Sequence, residues 1–271
     1  LKGFPMFKGN GFDVEGFRAA VMAEAKTGSV RMLLNFPQNP SGYTPTRTEM
    51  AEIVKILKEA ADTGADVMVW CDDAYFGLDY EDDIEPESLF AKIANLHEKI
   101  LAVKIDGPTK EDYVWGLRTG FLTFGSKGMN EAQYEALIKK LMGTIRSSVS
   151  CAAAPSQSLM AKMMADPRTE GEKLAFRKML EERYRVVRAF IDAHKGHKAL
   201  QALPFNSGYF MSMKCTGVGA EDLRVKLLHE YGIGMIAIDP SHLRVAFSSV
   251  DTDKLESVFE TIFKVAGEMA K

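Results

Sequence analysis

The stretch DVMVWCDDAYFGLDY, residues 66–80, sets the reading of the fold. Four of its first five residues are apolar, two of them valines, so this segment reads as a strand of strand-typical length. The character then reverses. Asp72, Asp73 and Tyr75 follow Cys71, and Gly77 gives the chain a place to turn. An apolar body with a polar carboxyl end is what an open parallel sheet needs, because ligands there bind beyond the carboxyl ends of the strands.

The same alternation extends to both sides. Upstream, FDVEGFRAAVMAEA has helical spacing with Asp13 as N-cap, and VRMLLNF is a strand that runs into the turn-rich PQNPSGYTPT. TRTEMAEIVKILKEAADTGA is an amphipathic helix, opened by a Thr46–Glu49 capping box and closed at Gly64. Downstream, HEKILAVKID and TGFLTFGS supply a third and a fourth strand. From about Glu131 the pattern is helical, as one long helix or two broken near Pro167. After His197, FNSGYFMSMK and SHLRVAFSS read as strands, and AEDLRVKLLHEYG and DKLESVFETIFKVAGEMAK as helices.

Strands alternating with amphipathic helices predict an α/β fold, with a mostly parallel sheet covered by helices over residues 1–178. A smaller α+β domain is expected over 179–271. The 271 residues carry 46% hydrophobic and 26% charged side chains and a formal charge of −3. That balance offers no bulk attraction to nucleic acid or to an anionic membrane. No apolar run approaches the roughly 20 residues that span a bilayer. Cys71, Cys151 and Cys215 are odd in number and widely spaced, which fits a reducing, cytoplasmic setting and small buried or half-buried thiols. The HKGH at 194–197 reads as a solvated helix end stopped by Gly196, and no metal site is expected. The abrupt opening LKGFPMFKGN is turn-like and suggests a sequence entered part-way.

Three successive strand ends deliver polar groups with complementary chemistry. The first brings Asn35 and Asn39, the second Asp72 and Tyr75, and the third leads to Lys110. A partly desolvated lysine is an amine nucleophile toward carbonyls. An aspartate at a strand end can pair with a cationic ring nitrogen. Arg118, eight residues beyond Lys110 in WGLRTGF, offers a planar fork for phosphate or carboxylate. A carbonyl cofactor that carries a phosphate and a basic ring nitrogen uses all three, and pyridoxal 5'-phosphate is such a cofactor.

In order, NFPQNPSG, CDDAYFGL, TKEDYVWGLRTGF, SGYF and HLRVAFSS resemble the signatures of the class I/II aminotransferases, fold-type I pyridoxal-phosphate enzymes. The likeness covers essentially the whole chain. It implies a truncated large cofactor-binding domain, a small C-terminal domain, an amino acid and a 2-oxo acid as substrates, and a homodimer. It also implies the roles of single residues. Lys110 matches the lysine that joins the cofactor as a Schiff base and later moves the substrate's α-proton. Arg118 matches the phosphate clamp, and Asp72 the partner of the pyridine nitrogen. Asp73 is left as an exposed or turn residue. Asn39 and Tyr75 match the residues that hydrogen-bond the cofactor's phenolic oxygen, against an Asx-turn residue and a core tyrosine as alternatives. Arg244 matches the arginine for the substrate α-carboxylate, against a surface arginine on an edge strand. Arg146 resembles a residue that reaches a distal carboxylate across a dimer, with Ser150 near the neighbouring phosphate; a helix-terminal surface arginine is equally open.

Two departures from the family pattern stand out. Gly107 occupies a position where many members carry a hydroxyl, with Thr109 as a possible substitute donor. The family's glycine/serine-rich phosphate loop would lie upstream of Leu1, so this stretch alone is expected to bind cofactor weakly and turn over little. Transamination is the leading expectation. A lyase or synthase on the same scaffold and a non-catalytic sensing domain are the alternatives.

Overall fold

The computed structural model describes residues 2–270 and divides the chain into two compact units. The first holds the chain up to Phe36 together with Pro45–Gly77 and Asp83–Gly171; the second holds Pro37–Thr44, Leu78–Asp82 and the chain from Glu172 onward.

In the first unit a short hairpin, β1 (Phe7–Lys8) and β2 (Gly11–Phe12), precedes helix α1 (Val14–Ala25). The hairpin is a departure from the turn-like opening expected of these residues. The Asp13 carboxylate accepts the Gly16 N–H at 2.9 Å and so caps α1. Strand β3 (Ser29–Asn35), helix α2 (Arg47–Asp62), strand β4 (Asp66–Asp72), helix α3 (Leu89–Ile93) and strand β5 (Ile100–Asp106) follow. A four-residue helix α4 (Pro108–Glu111), strand β6 (Phe121–Gly125) and helices α5 (Glu131–Ser148) and α6 (Ala154–Ala165) complete the unit. β3, β4 and β5 are parallel and β6 joins β5 antiparallel, in the order β3-β4-β5-β6.

α2 shows how the pattern becomes packing. Thr46 and Glu49 form the reciprocal capping box, and Met50, Ile53, Ile56, Leu57, Ala60 and Ala61 make one buried stripe. Each buried Ile or Leu contributes about 1.5–3 kcal/mol relative to exposure. The matching sheet face, Val30, Leu34, Val67, Val69, Cys71, Ile100 and Ala102, is likewise buried. The opposite face is not. Leu33 and Trp70, paired in register, are 53% and 44% exposed, and Leu122 is 53% exposed. That second face is uneven among the described residues, since Val103, in the same row as Leu33 and Trp70, is buried. The alternation within β3 and β4 was visible in the sequence only as continuous apolarity.

Helix α7 (Thr169–Ala193) starts after a break at Asp166–Arg168, and the division of the chain falls inside it. The second unit adds β7 (Leu200–Ala202), β8 (Met211–Cys215), α8 (Ala220–Tyr231), β9 (Ile236–Asp239), β10 (His242–Val245) and α9 (Thr252–Met269). Its sheet is antiparallel in the order β7-β8-β10-β9. Tyr184, Met211, Leu243, Phe247 and Phe259 are fully buried here. Tyr184 stacks on Tyr80 with centroids 4.9 Å apart and donates its hydroxyl to Glu81 at 2.6 Å, so the polar tip of a core aromatic is satisfied. Cys71 and Cys215 are buried, but Cys151 is exposed, contrary to the expectation for all three thiols. Among the described residues no helix is long and apolar enough to cross a membrane.

Asp79 in the second unit gives a pH signature. Burial pushes its carboxyl up to about 6, against the opposing pull of the Thr44 hydrogen bond and the Arg177 charge. Its unfolded value is near 3.9, so the unfolded chain ionises first. Stability conferred by the protonated native form is complete below about pH 4, falls as pH rises to about 6, and stays lost above. Asp79→Asn keeps an acceptor for Thr44 and is expected to stabilise the protein by about 2 kcal/mol at pH 8 and hardly at all at pH 4. Urea unfolding at the two pH values checks this; a larger gain at pH 4 contradicts it.

Candidate active site

In the first unit, the parallel strands β3, β4 and β5 end at one edge of the sheet, and antiparallel β6 begins there. The residues at that edge form a row, Asn35, Asp72, Ile105 and Leu122, in mutual register. Asn35 donates its amide to the Asp72 carbonyl at 3.0 Å. The Asp72 carboxylate accepts the Ala74 N–H at 3.1 Å, which turns the chain toward Tyr75. Tyr75 is buried, and the Lys110 Nζ lies over its ring, 5.6 Å from the centroid. Asp72, Tyr75 and Lys110 are thus gathered at one end of one sheet, as the sequence predicts for an open parallel fold.

Lys110 sits on α4, which Pro108 opens, with Thr109 beside it and half-buried. The departure at Gly107 has a steric cause. A Cβ there would stand 2.7 Å from the Thr119 carbonyl oxygen and 3.0 Å from the Gly120 Cα, both backbone atoms. The chain entering β6 crosses too closely to admit a side chain, hydroxyl or otherwise.

Arg118 is exposed, with Nη1 donating to the Trp115 carbonyl at 3.4 Å, and its backbone is left-handed at φ 52° and ψ 42°. Among the described non-glycine residues, positive φ occurs at Tyr113, Arg118 and Ser150. One of these, Tyr113, lies between Lys110 and Arg118, and a second is Arg118 itself. Such conformations cost about 1–3 kcal/mol each and gather at functional sites. Arg146, near the end of α5, donates Nη1 to Ser150 Oγ at 2.6 Å, and both residues are exposed.

The second unit organises the remaining pair. Gln38 braces the NPSG turn: its Oε1 accepts the Ser41 N–H at 2.7 Å, and its carbonyl accepts the Gly42 N–H at 2.7 Å. Ser212 Oγ donates to the Pro40 carbonyl at 2.8 Å, which ties the turn to β8. Arg244 Nη1 donates to Asn39 Oδ1 at 3.0 Å, while its guanidinium stacks on Phe210 at 4.2 Å. β10 lies inside its sheet, between β8 and β9, so Arg244 is not the edge-strand arginine held open as an alternative. Gln38 and Phe210 were not singled out from the sequence. Each adjoins a motif residue, but neither has local patterning of its own.

Asp73, expected to be an exposed or turn residue, opens a turn but is not exposed: its carbonyl accepts the Phe76 N–H at 2.9 Å, and it is 5% exposed. Its N–H donates to the Ile105 carbonyl at 2.9 Å, and this register carries its side chain to the covered face of the sheet, opposite to Asp72. Burial pushes its carboxyl up to about 6, with Ser88 and Lys104 pulling it down.

The donor set at the sheet edge fits pyridoxal phosphate. An amine held on an aromatic face, a half-buried carboxylate at the adjoining strand end and a guanidinium in the same segment have the chemistry to meet its carbonyl, ring nitrogen and phosphate. Residues 2–262 match the family described as aminotransferase class I and II. The chain belongs to this family. Its members are fold-type I, pyridoxal-phosphate-dependent enzymes.

Similarity to individual aminotransferases follows the same line. A probable N-acetyl-LL-diaminopimelate aminotransferase of Bacillus subtilis is 25% identical over 259 residues, or 89% of this chain and 59% of that protein. An aminotransferase of Anaerococcus prevotii superposes with a TM-score of 0.82 at 24% identity, covering 100% of this chain and 64% of that one. The kynurenine aminotransferase of Pyrococcus horikoshii, solved with PMP, has a TM-score of 0.73 at 17% identity, over 98% of this chain and 63% of that one. The chain thus spans less than two thirds of the length of these aminotransferases.

Proposed function

We infer that the protein is a pyridoxal-phosphate-dependent aminotransferase, which moves an amino group from an amino acid to a 2-oxo acid. The observation that carries this reading is the Lys110 amine held on the Tyr75 ring beside Asp72, within an aminotransferase chain. When bound, the cofactor supplies an electron sink for the substrate's Cα. The protein's own residues do the rest. Asp72 holds a positive charge on the ring nitrogen, and Arg118 and Thr109 grip the phosphate. Lys110 anchors the cofactor through Nζ and then takes and returns the substrate's α-proton at the same atom. Tyr75 and Asn39 donate to the phenolic oxygen. Arg244, its fork flattened on Phe210, receives the substrate α-carboxylate as a bidentate pair. The strained backbone at Tyr113 and Arg118 supports the placement of the site in this segment.

The assembly is a homodimer in this reading, with Arg146 and Ser150 presented to the neighbouring subunit's site. Transfer predicts half-reactions. Full-length protein loaded with pyridoxal phosphate and given an amino acid alone should release one equivalent of oxo acid per site and stop, then resume when a second oxo acid is added. Continuing release of oxo acid and ammonia without an acceptor would show a lyase instead.

A further inference from the structure

An ionic group lies on the opposite side of β4 and β5 from Asp72. Lys104 is an ammonium in the middle of an otherwise apolar strand, ILAVKID, at a position paired with Cys71 on β4 and Thr123 on β6. Its Nζ pairs closely with Asp106 on its own strand, and it lies 3.8 Å from Asp73 Oδ2 on the next one. It also sits 5.1 Å from the centroid of the Phe76 ring. Burial works against the charge on Lys104, but its ion pairs with Asp106 and Asp73 outweigh burial and raise its pKa. Asp73 Oδ2 and Asp106 Oδ1 are buried without a hydrogen-bond partner. The single ammonium is therefore what keeps two neighbouring inward-facing carboxylates together.

The positions of those carboxylates matter. Asp73 is two residues before Tyr75, and Asp106 is four before Lys110. The two strand ends that Lys104 joins are thus the roots of the two segments whose side chains meet as Lys110 on Tyr75. We propose that Lys104 is a positioning residue, which bridges Asp73 and Asp106 and so fixes the β4 and β5 exit loops in the register that brings Lys110 to Tyr75. The proposal rests on the aminotransferase reading for its consequence, but not for its geometry. Without the ammonium, Asp73 keeps only its Ser88 hydrogen bond, the two carboxylates lose their shared countercharge, and the loop roots separate.

Lys104→Met keeps the length and apolar stem of the side chain and removes the charge, whereas Lys104→Arg restores it. Two readouts are needed. Amide hydrogen exchange, without cofactor, should quicken at least tenfold in residues 73–77 and 106–114 of the Met variant, with the α2 and α9 amides unchanged and the Arg variant close to wild type. Titration with pyridoxal phosphate should show a tenfold or greater loss of affinity in the Met variant, again recovered by Arg. Should Lys104→Met not fold, Asp73→Asn tests the same link, because it leaves Lys104 paired to Asp106 alone; the β4 loop should then loosen. Unchanged exchange in both segments, or quickening spread evenly over the unit, overturns the proposal. Local loosening with unchanged cofactor affinity overturns the positioning role. If the full-length wild-type protein retains no cofactor at Lys110 while the loops loosen as expected, the aminotransferase reading fails and the bridge stands.

Discussion

In the full-length protein, Lys110→Ala is expected to lose amino-group transfer by roughly 10⁴-fold or more, because one amine both anchors the cofactor and carries the proton. The loss should come without unfolding. Lys110 sits half-buried on a four-residue helix and belongs to no part of the core. Pyridoxal phosphate should dialyse away from the variant, and its bound-cofactor absorbance should go with it, while thermal unfolding stays close to wild type. Absorbance that survives dialysis would place the covalent attachment elsewhere and remove the central assignment. The neighbouring Lys104 serves as an internal comparison. Its replacement is expected to weaken binding by a factor, with loop exchange changed, whereas loss of Lys110 removes the attachment itself.

Gly42→Ala should be the most destabilising small substitution in the NPSG turn, at about 2–5 kcal/mol. Gly42 has φ 76°, and an added Cβ would stand 2.0 Å from the Phe210 carbonyl oxygen and 2.9 Å from that of Ser207. A left-handed alanine costs about 1–2 kcal/mol, and forcing the clash open costs about 1–3 kcal/mol more. Neither clashing atom can swing aside as a side chain end would, since both are backbone. The Gly42 carbonyl also accepts the Asn206 and Ser207 N–H groups at 2.8 and 2.9 Å, so movement of the turn breaks bonds on both sides. Gly64→Ala is the control: φ is 95° there but nothing lies within 4 Å of the added atom. It should show only the backbone cost, about 1–2 kcal/mol. Urea unfolding of the two variants separates the terms, and equal losses would show that the close approach at Gly42 contributes nothing. Because Asn39 lies in the same turn, Gly42→Ala should also disturb its bond to Arg244.

Much of the site was legible because its cues are local. Strand ends change from apolar to polar within two residues, as at Cys71–Asp72. Caps announce themselves by side chains three residues apart, as at Asp13–Gly16 and Thr46–Glu49. The choice between Asp72 and Asp73 was partly legible: the motif selects Asp72, but nothing local shows where Asp73 goes. A single inter-strand bond, Asp73 N–H to Ile105 carbonyl, fixes that register and sends Asp73 inward. Once inward, it requires a countercharge, which explains an ammonium in the middle of β5. Lys104 was not singled out from the sequence, because its meaning depends on Asp73, a residue of another segment.

The amino-acid sequence by itself determined the alternation of strands and helices, the order of the five motifs, and with them the family and its chemistry. The alternation rests on periodicity and short-range bonding, which each segment carries within itself; the family and its chemistry rest on the likeness of the motifs to the class I/II aminotransferases. Tertiary structure alone decided that Leu33, Trp70 and Leu122 stay exposed on the first unit's sheet and that Gly107 must lack a side chain. It also decided that Asn39 meets Arg244, 205 residues away, and that Asp73, Lys104 and Asp106 form one ionic group. The physical reason is common to all four. Strand register and close backbone crossings are set by pairing between distant segments, so a residue's surroundings there are written in another part of the chain.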